Sequence, residues 1–225
     1  MLHYLIMNKI AYILLIPLGV LLFLSCKDTP PKKDSTQIPV NSKTVNLQLI
    51  DSLGAVSFSI PKEYDTSFSW IHEGDCGKPC EEPKYRFQSK KLPVMMEQGW
   101  LWDEPKDSIE NLTVNHSRYL AFPIADSSKN LIRHNAFKRQ VISNSINPPL
   151  IFDTLQKIND RYFSIFVMKK FDSVTSIKAL AITTVKGNWI QFQYQFLKNG
   201  NDTTSKDFAE KALNYFKTIV IKEGI

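Results

Sequence analysis

The run Trp189-Ile190-Gln191-Phe192-Gln193-Tyr194-Gln195-Phe196 alternates without a break, placing Ile190, Phe192, Tyr194 and Phe196 on one side and three glutamines on the other. Successive side chains of a strand point to opposite faces, so this run specifies a β-strand with one face on a core and one face polar. A slip of one residue would turn every aromatic outward. Lys186-Gly187-Asn188 supplies a turn ahead of it, and residues 177–185 before the turn are rich in strand formers. Beyond a polar loop, Thr204 is placed to cap a helix and Asp207 sits where the helix dipole favours negative charge. Phe208, Ala212, Tyr215, Phe216 and Ile219 then fall at i, i+4, i+7, i+8 and i+11, which predicts a helix whose apolar stripe covers the face holding Phe192 and Tyr194.

Earlier in the chain, Val45, Leu47 and Leu49 alternate with polar neighbours, Asp51-Ser52-Leu53-Gly54 supplies turn chemistry, and Val56, Phe58 and Ile60 alternate again before Pro61. This reads as a β-hairpin. Tyr85 and Phe87 suggest another strand, and residues 162–171, apolar on both faces, suggest one inside a covered sheet. Ile109, Leu112, His116 and Leu120 follow Asp107 at helical spacing and are assigned to a helix, with a second over residues 131–142. Strands with a few helices packed on one face make an α+β domain built mainly on an antiparallel sheet, spanning residues 44–222. Hydrophobic content of 43% and charged content of 22% exclude a disordered chain.

The amino terminus carries an address. Lys9 precedes an apolar run, residues 10–25, that ends at Ser25-Cys26. A basic residue, an apolar core and a small residue before a cut are the layout of a secretory signal peptide. Sixteen helical residues span about 24 Å, short of the roughly 30 Å of hydrocarbon a membrane helix crosses. Met7-Asn8-Lys9 would itself make a compact start. Leu22-Phe23-Leu24-Ser25-Cys26 resembles the lipobox of bacterial lipoproteins of the Bacteroidota type, with Phe23 where an aliphatic residue is usual. The resemblance implies removal of residues 1–25, lipidation of Cys26, and anchorage of the chain to a membrane through that lipid. Residues 26–43, polar and proline-bearing, read as a tether. The expected location is the cell envelope, with the domain in the periplasm or on the cell surface.

The order of elements, with Phe58-Ser59-Ile60-Pro61 early and a late hairpin feeding a terminal amphipathic helix, resembles the PsbP-like α/β/α envelope proteins. These share no common catalytic residues, so the resemblance implies a fold and carries over no site.

The chain lacks a phosphate-binding glycine loop, a Gly-x-Ser-x-Gly elbow and a His-Glu-x-x-His helix. One constellation stands out, Asp75-Cys76-Gly77-Lys78-Pro79-Cys80 with His72 upstream. Outside the cytoplasm a disulfide between Cys76 and Cys80 is the leading expectation. A metal site with His72 and a redox-active pair are the alternatives, each weakened by spacing. Trp100, Trp102, Asp103 and Glu104 are weighed as a sugar-binding surface against simple packing of both tryptophans. His116 and His134 read as surface or hydrogen-bonded histidines.

A net charge of +6 becomes +5 without residues 1–25, where Lys9 is the one charged residue, and it is spread in pairs such as Lys90-Lys91. That argues against nucleic-acid binding. The stretch Arg161-Tyr162-Phe163-Ser164-Ile165-Phe166-Val167 lacks the glycine of an RNA-binding strand. No cofactor and no catalytic residue is expected. The leading reading is a non-catalytic binding or structural domain with an envelope protein as partner; a thiol or carboxylate enzyme and an immunity or inhibitor lipoprotein are the alternatives.

Overall fold

The computed structural model describes residues 39–94, 109–119, 129–144, 147–171, 173–200 and 207–225. Ten strands and two helices follow one another along them: β1 Ser42–Leu49, β2 Gly54–Pro61, β3 Thr66–His72, β4 Glu82–Gln88, β5 Ile109–His116, α1 Asn130–Ser143, β6 Leu150–Ile158, β7 Arg161–Phe171, β8 Val174–Val185, β9 Asn188–Asn199, α2 Phe208–Phe216 and β10 Val220–Glu223. The described part is thus mostly antiparallel sheet with two helices, an α+β arrangement.

Two sheets form. A three-stranded sheet has the order β1-β2-β10, and a seven-stranded sheet has the order β3-β4-β5-β9-β8-β7-β6. The expected hairpin at residues 45–60 is β1 and β2, in register from Ser42 opposite Pro61 to Leu49 opposite Gly54. Asp51 and Ser52 in its turn have φ of 58° and 56°, and Gly54 has φ of 111°. A side chain at Gly54 would overlap the Lys222 carbonyl of β10, so glycine is required where the third strand closes in. The hairpin of β8 and β9 turns on Lys186 and Gly187, with φ of 49° and 83°, the double positive φ of a type I′ turn that matches strand twist.

The core lies between the sheets. Phe58 and Ile60 of β2 face Phe163 and Ile165 of β7, Ala179 and Ala181 of β8, and Phe192 and Tyr194 of β9. The predicted stripe of α2 joins them: Tyr194 stacks on Tyr215 with ring centroids 5.5 Å apart and lies 5.6 Å from Phe216. The helix ends at Phe216, before Ile219, which is nonetheless buried after a turn in which its N–H donates to the Phe216 carbonyl. Each aromatic buried there stabilises the fold by about 1.5 to 3 kcal/mol.

Two expectations are corrected. The helices do not share one face. Phe163, Ile165 and Val167 of β7 join the core with α2, whereas Phe166 and Met168, the alternate residues, pack with Phe137 and Val141 of α1 on the opposite face. A strand apolar on both faces needs a cover on each, and one helix goes to each side. The proposed helix over Ile109, Leu112 and His116 is instead strand β5, in the middle of the large sheet; Asp107 and Leu120 lie outside the described residues. Glu110, Leu112, Val114 and His116 alternate with Asn111, Thr113 and Asn115, and this period of two outweighs the i, i+3 coincidence once neighbours on both sides supply ladder bonds.

Candidate functional site

The polar side of β9 proves to be one column of a grid. Pairing across four strands aligns Trp70, Lys84, Asn115 and Gln191 in one row, Phe68, Arg86, Thr113 and Gln193 in the next, and Thr66, Gln88, Asn111 and Gln195 in a third. Residues directly opposite one another in an antiparallel pair project to the same side, so all twelve share the face away from the core. On this same face α1 packs over β6 and β7, and among the described residues the β3, β4, β5 and β9 half carries amides, hydroxyls, cations and two aromatics.

Short side chains line the middle of the grid and longer ones flank it. Asn111, Thr113 and Asn115 are buried, as is Gln88, while Arg86, Trp70, Phe68 and the three glutamines are half-buried. Gln191 donates to Gln193 Oε1 at 3.4 Å and Gln193 to Gln195 Oε1 at 3.1 Å, forming a ladder along β9. Arg86 Nε donates to Thr113 Oγ1 at 3.1 Å, and its guanidinium carbon lies 4.9 Å above the Trp70 ring, which stacks on Phe68 at 5.6 Å. The amides and hydroxyls here both donate and accept hydrogen bonds, the Arg86 guanidinium only donates, and none of them exchanges protons near neutral pH. Such an arrangement holds a polar surface in register.

A second cluster sits where the sheets meet. Arg118, just past β5, gives Asp51 a two-pronged ion pair, Nε to Oδ2 and Nη2 to Oδ1 at 2.8 Å each, and its Nη1 donates to Glu81. The Arg118 bond holds the Asp51 carboxyl below its ordinary range, so it stays ionised. Tyr85 Oη accepts the Ile50 N–H at 3.3 Å, and the Tyr85 ring stacks on His116 at 6.2 Å. His116 is fully buried, with Nδ1 3.0 Å from the Ser117 carbonyl and Nε2 without a hydrogen-bond partner among the described residues. Burial disfavours the imidazolium and lowers its pKa. The Ser117 hydroxyl donates to the Tyr119 carbonyl and accepts the Trp189 N–H, both at 3.1 Å, which commits it to structure.

Next to Glu81 stands the cysteine loop. Cys76 and Cys80 bring their sulfurs within bonding distance, with Cα atoms 5.4 Å apart, across a short 3₁₀ turn, Lys78–Cys80. Both are exposed. Gly77, with φ of 73°, makes the reversal the bridge requires. His72 lies in β3 opposite Glu82, and the described residues hold no group of three His, Cys, Asp or Glu placed to bind a metal ion. His134 is buried rather than at the surface, its Nε2 3.5 Å from Asp153 Oδ2 and its ring stacked on Phe166 at 5.3 Å. Cys26, Trp100, Trp102, Asp103 and Glu104 lie outside the described residues. Sequence reasoning singled out the glutamine column and the cysteines and placed Asp51 in a turn; it missed Arg118 as the partner of Asp51 and the β4 and β5 columns, which only strand pairing brings together.

Fold and grid together define an antiparallel-sheet α+β domain with a polar face on its large sheet. No protein-family profile matches the chain, and no curated protein does. Similar solved structures include cyanobacterial PsbP (CyanoP) from Synechocystis sp., 12% identical with a TM-score of 0.45 over 83% of this chain and 96% of that one. LpqN, a protein involved in cell envelope biogenesis of Mycobacterium tuberculosis, is 11% identical with a TM-score of 0.33 over 80% of this chain and 91% of its own. A protein from Bacteroides thetaiotaomicron is 13% identical with a TM-score of 0.34 over 75% of this chain, which spans 45% of that protein's length. At these scores the likenesses assign neither family nor function.

Proposed function

We propose that the protein is a lipid-anchored envelope lipoprotein whose domain binds an envelope component through the polar face of its large sheet, without catalysis. The observation that carries the reading is the grid of amides and hydroxyls on β4, β5 and β9: an apolar cover over it would strand those groups at about 1 to 3 kcal/mol each, so its fitting occupant is polar. The anchor rests on the signal-like segment and Ser25-Cys26. Oxidation of Cys76 and Cys80 to a disulfide that pins their loop belongs to the same reading, since thiols this close persist as a bond outside the cytoplasm. No helix among the described residues is long and apolar enough to cross a membrane, so attachment through Cys26 is the route proposed.

Cys26→Ala should abolish labelling by a palmitate analogue and release the protein from the membrane fraction; unchanged labelling overturns the anchor. Gln193→Arg together with Gln195→Arg, both half-exposed, should abolish crosslinking to an envelope partner in native membranes while leaving the melting curve nearly intact. A crosslink indifferent to both changes moves the binding surface elsewhere.

A further inference from the structure

The cysteine loop and the Arg118 ion pairs meet at a single peptide bond, Cys80-Glu81. Glu81 sits at the start of the seven-stranded sheet and accepts from Arg118, whose other prongs hold Asp51 in the turn of the three-stranded sheet. Arg118 therefore ties the sheets together at one end, and the loop decides where Glu81 stands. That loop is wound tightly: Gly77 N–H donates to the Gly74 carbonyl at 3.1 Å, Cys80 N–H to Gly77 at 2.8 Å and Glu81 N–H to Lys78 at 3.2 Å. A side chain at Gly74 would overlap Cys80, so the segment is folded against itself at the bridged geometry. The whole stretch from Asp75 to Cys80 is open to solvent.

We infer that Cys76 and Cys80 form a thiol-exchange site that works the Arg118 clasp, its co-reactant a dithiol such as an extracytoplasmic dithiol oxidoreductase. A thiolate of the co-reactant attacks one sulfur, breaking the S–S bond and forming a mixed disulfide. Its second thiolate then attacks the mixed disulfide and leaves as the oxidised co-reactant. Two electrons pass to the protein, two protons follow, and both cysteines end as thiols. Both cysteines are exposed, and an exposed bridge admits the attack that a buried structural one refuses. Once the ring is open, only the backbone bonds Cys80 N–H to Gly77 and Glu81 N–H to Lys78 hold the exposed turn, and solvent-exposed turn bonds of that kind open readily, so Glu81 leaves Arg118 while Asp51 stays. The clasp loosens and the core is untouched. The inference rests on the pair being oxidised, as proposed above.

The test is amide hydrogen exchange on the full-length protein, untreated and after dithiothreitol with alkylation of the freed thiols. Mass of the untreated protein reads the oxidation state first: two free thiols would remove both the disulfide and the clasp. With the bond present, reduction should speed exchange at Ile50, whose N–H donates to Tyr85, and at Leu53 on the order of tenfold, leaving β7 to β9 unchanged. Glu81→Gln in the oxidised protein should give a similar increase in the same turn, and reducing that variant should add little more. A bond that resists excess dithiothreitol while the protein is folded, unchanged exchange after both thiols are alkylated, or global unfolding on reduction would each overturn the clasp.

Discussion

Burial of the His116 ring against Tyr85 gives the fold a pH dependence whose sign can be worked out. Desolvation lowers the imidazole pKa in the folded state, so the unfolded chain takes up the proton first. Stability from this residue is complete above the ordinary histidine value of about 6.5 and is lost as pH falls toward the folded value, at no more than about 1.4 kcal/mol per pH unit. Glu110 works in the opposite direction. Burial raises its pKa although Tyr64 donates to it at 3.2 Å, so its contribution is complete at low pH and fades as pH rises through the raised value. The two effects have opposite signs, and a variant separates them. Urea unfolding of the wild type and of His116→Phe between pH 7.5 and pH 5 (roughly the window these ordinary values bracket) should show the variant gaining on the wild type as pH falls. A difference independent of pH would mean that the ring is solvated.

Helix α2 offers the sharpest contrast between the faces of β9. Phe216 is fully buried and packs on Tyr194, so Phe216→Ala should cost about 3 to 5 kcal/mol in chemical denaturation. Gln193→Ala, on the polar side, should cost less than about 1 kcal/mol, because the two ladder bonds it loses are half-exposed and water replaces them. Equal effects would mean that the helix is not docked as described. Both residues were placed correctly by periodicity alone, as were the early hairpin and the strands β7 to β9, because each of these elements repeats its pattern over several residues. What escaped was short, mixed or set by distant pairing. In β3 the alternation is short, Phe68 and Trp70 with serines and then Ile71 breaking it; β10 is four residues long; β6 is an edge strand whose Ile151 and Phe152 face solvent. For β5, Asn111, Thr113 and Asn115 carried an alternation that apolar counting ignored, and their place beside Arg86 and Gln193 depends on strands far apart in the chain. The grid was legible as three glutamines and nothing more, since register is a property of pairs of strands.

Across the whole molecule, the core is enclosed by a small sheet that only the end of the described chain completes. β10 pairs with β2, Val220 opposite Ser57 and Glu223 opposite Gly54, and Arg161 Nη2 reaches Glu223 at 2.5 Å. Ending the chain at Ile219 should open the edge of β2 and lower stability by about 2 kcal/mol or more, a fall of roughly 4 to 8 °C in melting temperature for a domain of this size. Calorimetry with light scattering would show it, and an unchanged melting temperature would mean that β10 is dispensable. The same pairing bears on how the protein is made. Val220 lies 220 − 57 = 163 residues beyond its partner and Glu223 lies 223 − 54 = 169 beyond its own, so the closing contacts are about as non-local as this chain permits. Contacts of such separation are slow to form. At translation rates of about 5 to 20 residues per second, the stretch from Ser57 to Val220 takes roughly 8 to 33 s to make, and throughout it the small sheet lacks its third strand. Until β10 emerges, the outer edge of β2 stays unpaired, so the half-made domain is open for that whole interval to any foreign strand that adds to this edge before its own does.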